Sequence, residues 1–260
     1  MYIENNWQNY RSKINDKDAI FAVNLNIIEH FQPAMKADKI IQFSVPYEHA
    51  KGNGLPSNEN YQSLLETIFK ISSLLSSTAD SYYAGYLFTD NKAKLYCYTA
   101  NPEYILEILQ QFSFVEDISI QEDPYWDTYF DFLLPSPLEM KLHGTQEVLD
   151  MLSHNGRCLD DSYHLAHTLY FPEEQNMNTF IEYLANNNDI NFSTLQHSAS
   201  AVTINNDEQV YIVKLDQDIS LNSDEIFDTV KQLEKLATQY CGTYVGWESE
   251  DTLINKEQLN

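Results

Sequence analysis

His164 and His167 stand three residues apart in the run His164-Leu165-Ala166-His167, a pairing that could hold a metal ion. The run reads as a strand, however, and strand positions three apart point to opposite faces, so one ion cannot readily be gripped by both imidazoles. Asp216-Gln217-Asp218-Ile219-Ser220 opens like a calcium loop, but its sixth position is Leu221 instead of Gly and its twelfth is Phe227 instead of a bidentate Glu. Glu122, Asp123, Asp127 and Asp131 could supply an acid and a base, because carboxylates crowded in a cleft shift one another's pKa. A solvated charge run is the plainer account of them. Gly52-Asn53-Gly54 lacks the third glycine and the preceding context of a dinucleotide loop, and the chain holds neither G-x-S-x-G nor a P-loop. Cys158 and Cys241 would act as nucleophiles only with a base beside them, and buried structural thiols are the commoner case. Every pattern lacks a required member, so the expectation is a noncatalytic protein with no metal ligand, no catalytic residue and no cofactor.

Two aromatic segments are denser than chance. One is Asp123-Pro124-Tyr125-Trp126-Asp127-Thr128-Tyr129, continuing to Phe132-Leu133-Leu134-Pro135-Ser136-Pro137; the other is Gly242-Thr243-Tyr244-Val245-Gly246-Trp247-Glu248. Large aromatics beside Gly and Pro mark close packing at a junction or sheet edge more often than a binding hot spot, although Trp and Tyr serve both.

The elements that must position these residues follow from periodicity. Trp7 to Ile14 alternates, Asn15-Asp16-Lys17-Asp18 turns, and Ala19 to Ile27 alternates again, which predicts a hairpin. Strands are expected at about Lys39–Tyr47, Tyr82–Phe88, Lys94–Thr99 and Phe114–Gln121. Between them, Tyr61, Leu64, Leu65, Ile68, Ile71 and Leu75 stripe one helix, capped by Ser57 or Asn58; Ile105, Leu106, Leu109 and Phe112 stripe another, capped by Asn101. Ser136-Pro137-Leu138-Glu139 has capping-box spacing and opens a connecting helix that Asn155-Gly156 ends. Strands then recur at about Ser162–Phe171, Ile190–Gln196, Gln209–Leu215 and Thr243–Ser249, with helices at about Glu173–Ala185 and Ser223–Tyr240. The last helix is expected to pair Asn222 with Glu225 at its start and to end at Gly242. The order strand, helix, strand, strand, helix, strand occurs twice. The expected class is therefore α+β, two ferredoxin-like sandwich domains over 1–135 and 136–250, with an extra N-terminal hairpin, a connecting helix and a flexible tail at 251–260.

Charge narrows the function. Thirty-nine acids against 15 Lys and Arg leave −24, a repulsive field for phosphate backbones and anionic lipid, so neither direct nucleic-acid nor membrane binding is expected. With 43% hydrophobic residues, 18 Tyr and 13 Phe, the chain nevertheless has the material of a packed core. Residues 1–135 hold 9 basic and 18 acidic residues, net −9; residues 136–260 hold 6 and 21, net −15. Three cysteines without C-x-x-C spacing fit a reducing compartment. Met1-Tyr2-Ile3-Glu4-Asn5-Asn6 lacks a basic n-region and an apolar h-region, and 18 apolar residues nowhere run together, so a cytoplasmic protein is expected.

Several runs resemble a two-part bacterial family in which domain of unknown function 695 precedes a domain similar to the regulator of ribonuclease E activity B. In the first part these are Asn6-Trp7, Gly54-Leu55-Pro56-Ser57, Tyr83-Ala84-Gly85-Tyr86, and Trp126-Asp127-Thr128-Tyr129 with Phe132-Leu133-Leu134-Pro135-Ser136. In the second they are His167-Thr168-Leu169-Tyr170-Phe171 and Gly242-Thr243-Tyr244-Val245-Gly246-Trp247-Glu248-Ser249, with Ala166 and Val245 standing where the family has acids. The resemblance covers nearly the whole chain. It implies an acidic, noncatalytic protein that binds an endoribonuclease and lowers its activity, with a ferredoxin-like fold in the regulator part.

The expected function is thus regulatory binding of a basic protein segment, on a ribonuclease or its scaffold, chiefly through the second domain. The candidate contacts are Asp160, Asp161, Glu173, Glu174, Asp216, Asp218, Asp224, Glu225 and Glu248, with Tyr244 or Trp247 as anchor. Charge reversal at Glu173 and Glu174 is expected to act on the association rate. The alternatives are a small-molecule binder or enzyme using an inter-domain groove, and an RNA-binding module that stacks bases on a sheet, which the charge argues against.

Overall fold

A computed structural model describes residues 6–30, 36–48, 52–204, 208–222 and 224–249. The expected tail at 251–260 and the helix start at Ser223 lie outside them. The chain is α+β and divides into two compact units, Met1–Glu139 and Met140–Asn260. Glu139 is tied to unit 1: the Ser12 hydroxyl donates to its carboxylate, and Ser136 completes a capping box with it. Among the described residues no helix is long and apolar enough to cross a membrane.

Unit 1 contains β1 (Trp7–Ile14), β2 (Lys17–Asn24), α1 (Asn26–His30), β3 (Lys39–Pro46), α2 (Asn58–Ser76), β4 (Ser81–Thr89), β5 (Lys92–Thr99), α3 (Pro102–Leu109), β6 (Glu116–Glu122) and a π-helical turn at Thr128–Leu133. Its strands form one antiparallel sheet in the order β1-β2-β4-β5-β3-β6. The strands are not a meander, since β3 lies between β5 and β6. The first turn is tighter than expected: Asn15 and Asp16 alone connect β1 and β2, both with left-handed φ, as do Asp90 and Asn91 between β4 and β5. α1 stands where the second strand was expected to continue, because the Asn24 side chain accepts the N–H of Asn26 and turns the chain.

Both faces of this sheet are covered. On one, Ile41, Phe43, Leu95 and Cys97 meet Leu64, Ile68 and Ile71 of α2 and Ile105 and Leu109 of α3. On the other, Phe21, Val23, Ile40, Leu87, Tyr96 and Tyr98 are roofed by the aromatic segment after β6, through Trp126, Tyr129 and Leu133. Trp126 stacks on Tyr98 at 3.9 Å and donates its indole N–H to the Ala37 carbonyl, which holds its backbone at a φ of 61°. Neither expected side-chain cap forms in this unit: Ser57 stands at the start of α2 and Asn101 at that of α3, but neither makes a capping hydrogen bond. Gly85 has a φ of 154° at a bulge in β4, where an added Cβ would lie 2.4 Å from the Ala22 carbonyl oxygen. The glycine is thus required by the approach of β2.

α4 (Pro137–His154) begins at the Ser136 capping box and ends at Gly156, whose φ is 72°. Unit 2 continues with β7 (Ser162–Phe171), α5 (Glu174–Asn186), β8 (Thr194–His197), β9 (Val202–Thr203), β10 (Gln209–Ser220), α6 (Glu225–Gln239) and β11 (Thr243–Glu248). The sheet order is β11-β7-β10-β8, antiparallel throughout, and the short β9 also pairs with β10. The expected strand at Ile190–Gln196 is displaced to Thr194–His197, while β10 runs five residues further than expected, to Ser220. Leu165, Leu169, Phe171, Val213 and Leu215 of the sheet and Phe180, Val230 and Leu233 of the helices are buried. α6 is not capped by an Asn222–Glu225 box: Asp224 is its N-cap position, and the Asn222 amide instead donates to Asp160 at 2.6 Å. Gly242 is required for space, because a Cβ there would meet the Phe171 ring at 2.5 Å.

Candidate functional site: the acidic sheet of unit 2

β7 alternates strictly, and β10 does so from Val213 onward. Tyr163, Leu165, His167, Leu169 and Phe171 are buried, and so are Val213, Leu215, Gln217 and Ile219, whereas the intervening residues are exposed or half-buried. The two histidines therefore lie on opposite faces, which removes the metal pair. His164 is exposed with Asp218 at 2.9 Å; His167 is in the core.

His167 sits in a polar group buried across three strands. Its Nδ1 lies 2.9 Å from the Tyr244 hydroxyl and its Nε2 3.1 Å from the Gln217 side-chain oxygen. Because the Gln oxygen can only accept, Nε2 carries the proton and Nδ1 accepts from Tyr244. Burial pushes the His167 pKa down to about 4, although Gln217 and the Asp216 charge pull the other way. Burial and the Glu234 carboxylate push the Tyr244 hydroxyl far above its ordinary value, so it remains a donor. Lys141 of α4 pairs with Glu234 at 2.8 Å, both side chains mostly buried. Tyr244, expected as a surface anchor, is thus an interior hydrogen-bonding residue with no exposed surface. Trp247 is half-buried and donates its indole N–H to Thr145 at 2.9 Å.

The outer face carries the charge. Asp216 accepts from the Thr194 hydroxyl, and Glu248 pairs with Lys214 at 3.1 Å. Asp160 and Asp161 are exposed just before β7, and Asp224 and Glu225 are exposed where α6 starts. Ser220 pairs with Ser162 and the Asn222 amide bonds Asp160, so these four carboxylates and Asp218 occupy one end of the sheet. Glu173 and Glu174 follow the far end of β7, about 30 Å away at the usual rise per residue. The candidate acids form one cluster of five, two face residues and a separate pair, not a single patch.

Other expected sites resolve differently. Asp123 belongs to no solvated charge run: it is 6% exposed and accepts from the Tyr98 hydroxyl at 2.6 Å and from the N–H groups of Asp127 and Thr128. Burial raises its pKa, but these donors outweigh it and leave the carboxyl below its ordinary value. Glu122, Asp127 and Asp131 are exposed. Cys158 and Cys241 are exposed, not buried, and Cys97 is the buried thiol, pushed up to about 12 by that burial. Asp216–Ser220 is strand, so no calcium loop exists there. In unit 1 a shallow depression of about 390 Å³ opens beside the hairpin tips, but Lys17 already pairs with Asp90 there at 2.8 Å and Asn53 bonds Asp18 at 2.9 Å. Sequence reasoning passed over the His167–Gln217–Tyr244 group, although His167 falls in register with the apolar residues of β7.

The family of unknown function (DUF695) matches residues 5–134, half of the chain, and the family Regulator of ribonuclease activity B matches residues 143–249. No curated protein matches the chain. Among solved structures, an unknown protein from Galdieria sulphuraria is 9% identical over 81% of this chain and 96% of that one, at a TM-score of 0.23, a likeness too weak to carry an argument. The chain accordingly belongs to the family of unknown function DUF695 through its first unit, and its second unit matches Regulator of ribonuclease activity B.

Proposed function

We propose that the protein is a noncatalytic, cytoplasmic regulator whose second unit binds a basic segment of an endoribonuclease or of its scaffold. The observation that carries this reading is the coincidence, within residues 143–249, of a match to a ribonuclease regulator with the five-carboxylate end formed by Asp160, Asp161, Asp218, Asp224 and Glu225. The strand order supports a fold of the same kind. β11-β7-β10-β8 is the order that a ferredoxin-like β-α-β-β-α-β sandwich takes, and β6-β3-β5-β4 has the same form in unit 1. We read both units as ferredoxin-like, the first extended by the hairpin.

A concentrated negative field steers a cationic partner and raises the rate of encounter. The test is affinity capture from the native host by the full chain, followed by kinetics on the nuclease or scaffold retained. Association should slow steeply as salt shortens the screening length from about 10 Å at 0.1 M to about 3 Å at 1 M, with dissociation little changed. Asp160→Lys combined with Asp218→Lys should slow association by about tenfold. Glu173→Lys with Glu174→Lys, at the far end, becomes the matched control and should change it less. Failure of the full chain to alter cleavage by any retained nuclease, or equal capture by the reversed variant, would refute the reading.

A further inference from the structure

The sheet of unit 1 has two edges, and they differ. β6 is blunted at one end, where Asp117 takes a φ of 53° and the register with β3 shifts. β1 is not: it pairs with β2 residue for residue, from Trp7 opposite Asn24 to Ile14 opposite Lys17, with no shift and no proline. The Asn6 carbonyl accepts the N–H of Leu25, which fixes the phase of that ladder. Gln8, Tyr10 and Ser12 therefore turn their main-chain groups toward β2, while Trp7, Asn9, Arg11 and Lys13 turn theirs outward, where no strand among the described residues receives them. Only the Gln8 side chain takes up part of that side, donating to the Asn9 carbonyl at 2.9 Å. Strand alternation sets the same four side chains on one face of the sheet, the face on which Trp7 packs; Asn9, Arg11 and Lys13 are exposed and Trp7 is half-buried.

The order of these four residues decides what fits the edge. A two-fold axis through Tyr10, perpendicular to the sheet, lays a second β1 alongside the first, antiparallel and with the same face up. Trp7 then lies opposite Lys13 of the other copy and Asn9 opposite its Arg11, on both sides of the axis. An ammonium meets an indole and a guanidinium meets a side-chain amide that can accept from it, so no cation opposes a cation. Every outward main-chain group of the four finds its counterpart in this register. Centring the pair on Arg11 instead would set two guanidinium groups against each other, which is destabilising, and centring it on Asn9 would carry Lys13 past the start of the other strand. Arg11 and Lys13 are the strand's only charges, in a half-chain of net −9, so they lower the repulsion between two anionic copies at this edge. We propose that β1 is a self-association edge, at which a second copy of this chain pairs its own β1 about Tyr10 and joins two six-stranded sheets into one. The contact is isologous and closes after two copies. It lies in unit 1 and does not depend on the acidic sheet of unit 2.

Sedimentation velocity of the full chain from about 1 μM to about 1 mM should show a monomer giving way to a dimer. Salt should strengthen the association, because it screens the repulsion between two bodies of −24, whereas it should weaken the partner binding assigned to unit 2. In the dimer, amide exchange should slow at Trp7, Asn9, Arg11 and Lys13 and stay unchanged at Gln8, Tyr10 and Ser12, which already bond to β2. Asn9→Glu sets a carboxylate opposite Arg11 twice per dimer and should tighten association about tenfold, and Asn9→Arg should loosen it about tenfold. Asn9→Pro, which removes an outward N–H that β2 does not use, should abolish the dimer and leave the far-ultraviolet circular dichroism of the monomer unchanged. If that variant misfolds, the two charged variants, both at an exposed side chain, still decide the matter. A chain that stays monomeric throughout, a dimer that Asn9→Pro leaves intact, or equal association of the two charged variants would overturn the proposal. So would slowed exchange at the same four amides of a monomeric chain on adding the peptide Glu-Thr-Glu-Thr-Glu, which would make an acidic segment the occupant.

Discussion

Two buried polar side chains are fixed by opposite preferences. His167 is held neutral, its pKa at about 4 against 6.5 when unfolded, so the unfolded chain binds more protons between those values and stability rises with pH across them. Acidification from pH 7 to pH 4 should therefore remove about 3 kcal/mol of folding free energy through this residue alone. Urea unfolding followed across that range should show the loss, and His167→Gln, which no longer titrates there, should flatten it; an equal pH slope in the variant would assign the effect elsewhere. Asp123 is held charged instead, by three donors around a small buried carboxylate. Asp123→Asn turns an acceptor into a donor facing donors and should cost about 2 kcal/mol, measured as a lower urea midpoint at unchanged slope.

At the scale of elements, β2 and β4 approach so closely that Gly85 has no room for a methyl group. Gly85→Ala should lower stability by about 2 kcal/mol or more, because the obstacle is the Ala22 backbone carbonyl, which cannot rotate away, and Gly144→Ala, with open space around it, gives the comparison in thermal melts. Most elements were legible from periodicity: β7 has the expected bounds, and the α2 stripe marks buried positions at Leu64, Ile68, Ile71 and Leu75, with Leu65 half-buried and Tyr61 exposed. Boundaries decided by side chains competing for backbone groups were not. Asn24 ends β2, and Asn222 serves Asp160 instead of a helix start. Nor could spacing separate a histidine that packs from one that binds, or show that Asp123 points inward, since both depend on partners 25 to 77 residues away in the chain. The acidic residues were legible as a total, but only the antiparallel register places five of them at one end and two about 30 Å off.

At the scale of the whole molecule, negative charge dominates composition, while the two sheets differ in what covers their second face. Unit 2 leaves Asp216, Asp218 and Glu248 on an outer surface; unit 1 closes its sheet with the stretch after β6. That closure binds the beginning of the unit to its end: Tyr10 donates to the Leu133 carbonyl, Tyr129 to that of Asn24, and Trp126 to that of Ala37. Such contacts, formed across 89 to 123 residues, make folding wait on loop closure. During synthesis the sheet can assemble its helical side first, but Phe21, Tyr96 and Tyr98 stay bare until residue 134 has left the ribosome. A nascent chain stalled after Glu122 should therefore remain protease-sensitive and be held by chaperones, and one stalled some 40 residues beyond Leu134, roughly the length shielded by the exit tunnel, should become resistant in a single step. For this unit the roof is the last part made, and the ribosome itself sets the moment at which its aromatic face ceases to be an aggregation risk.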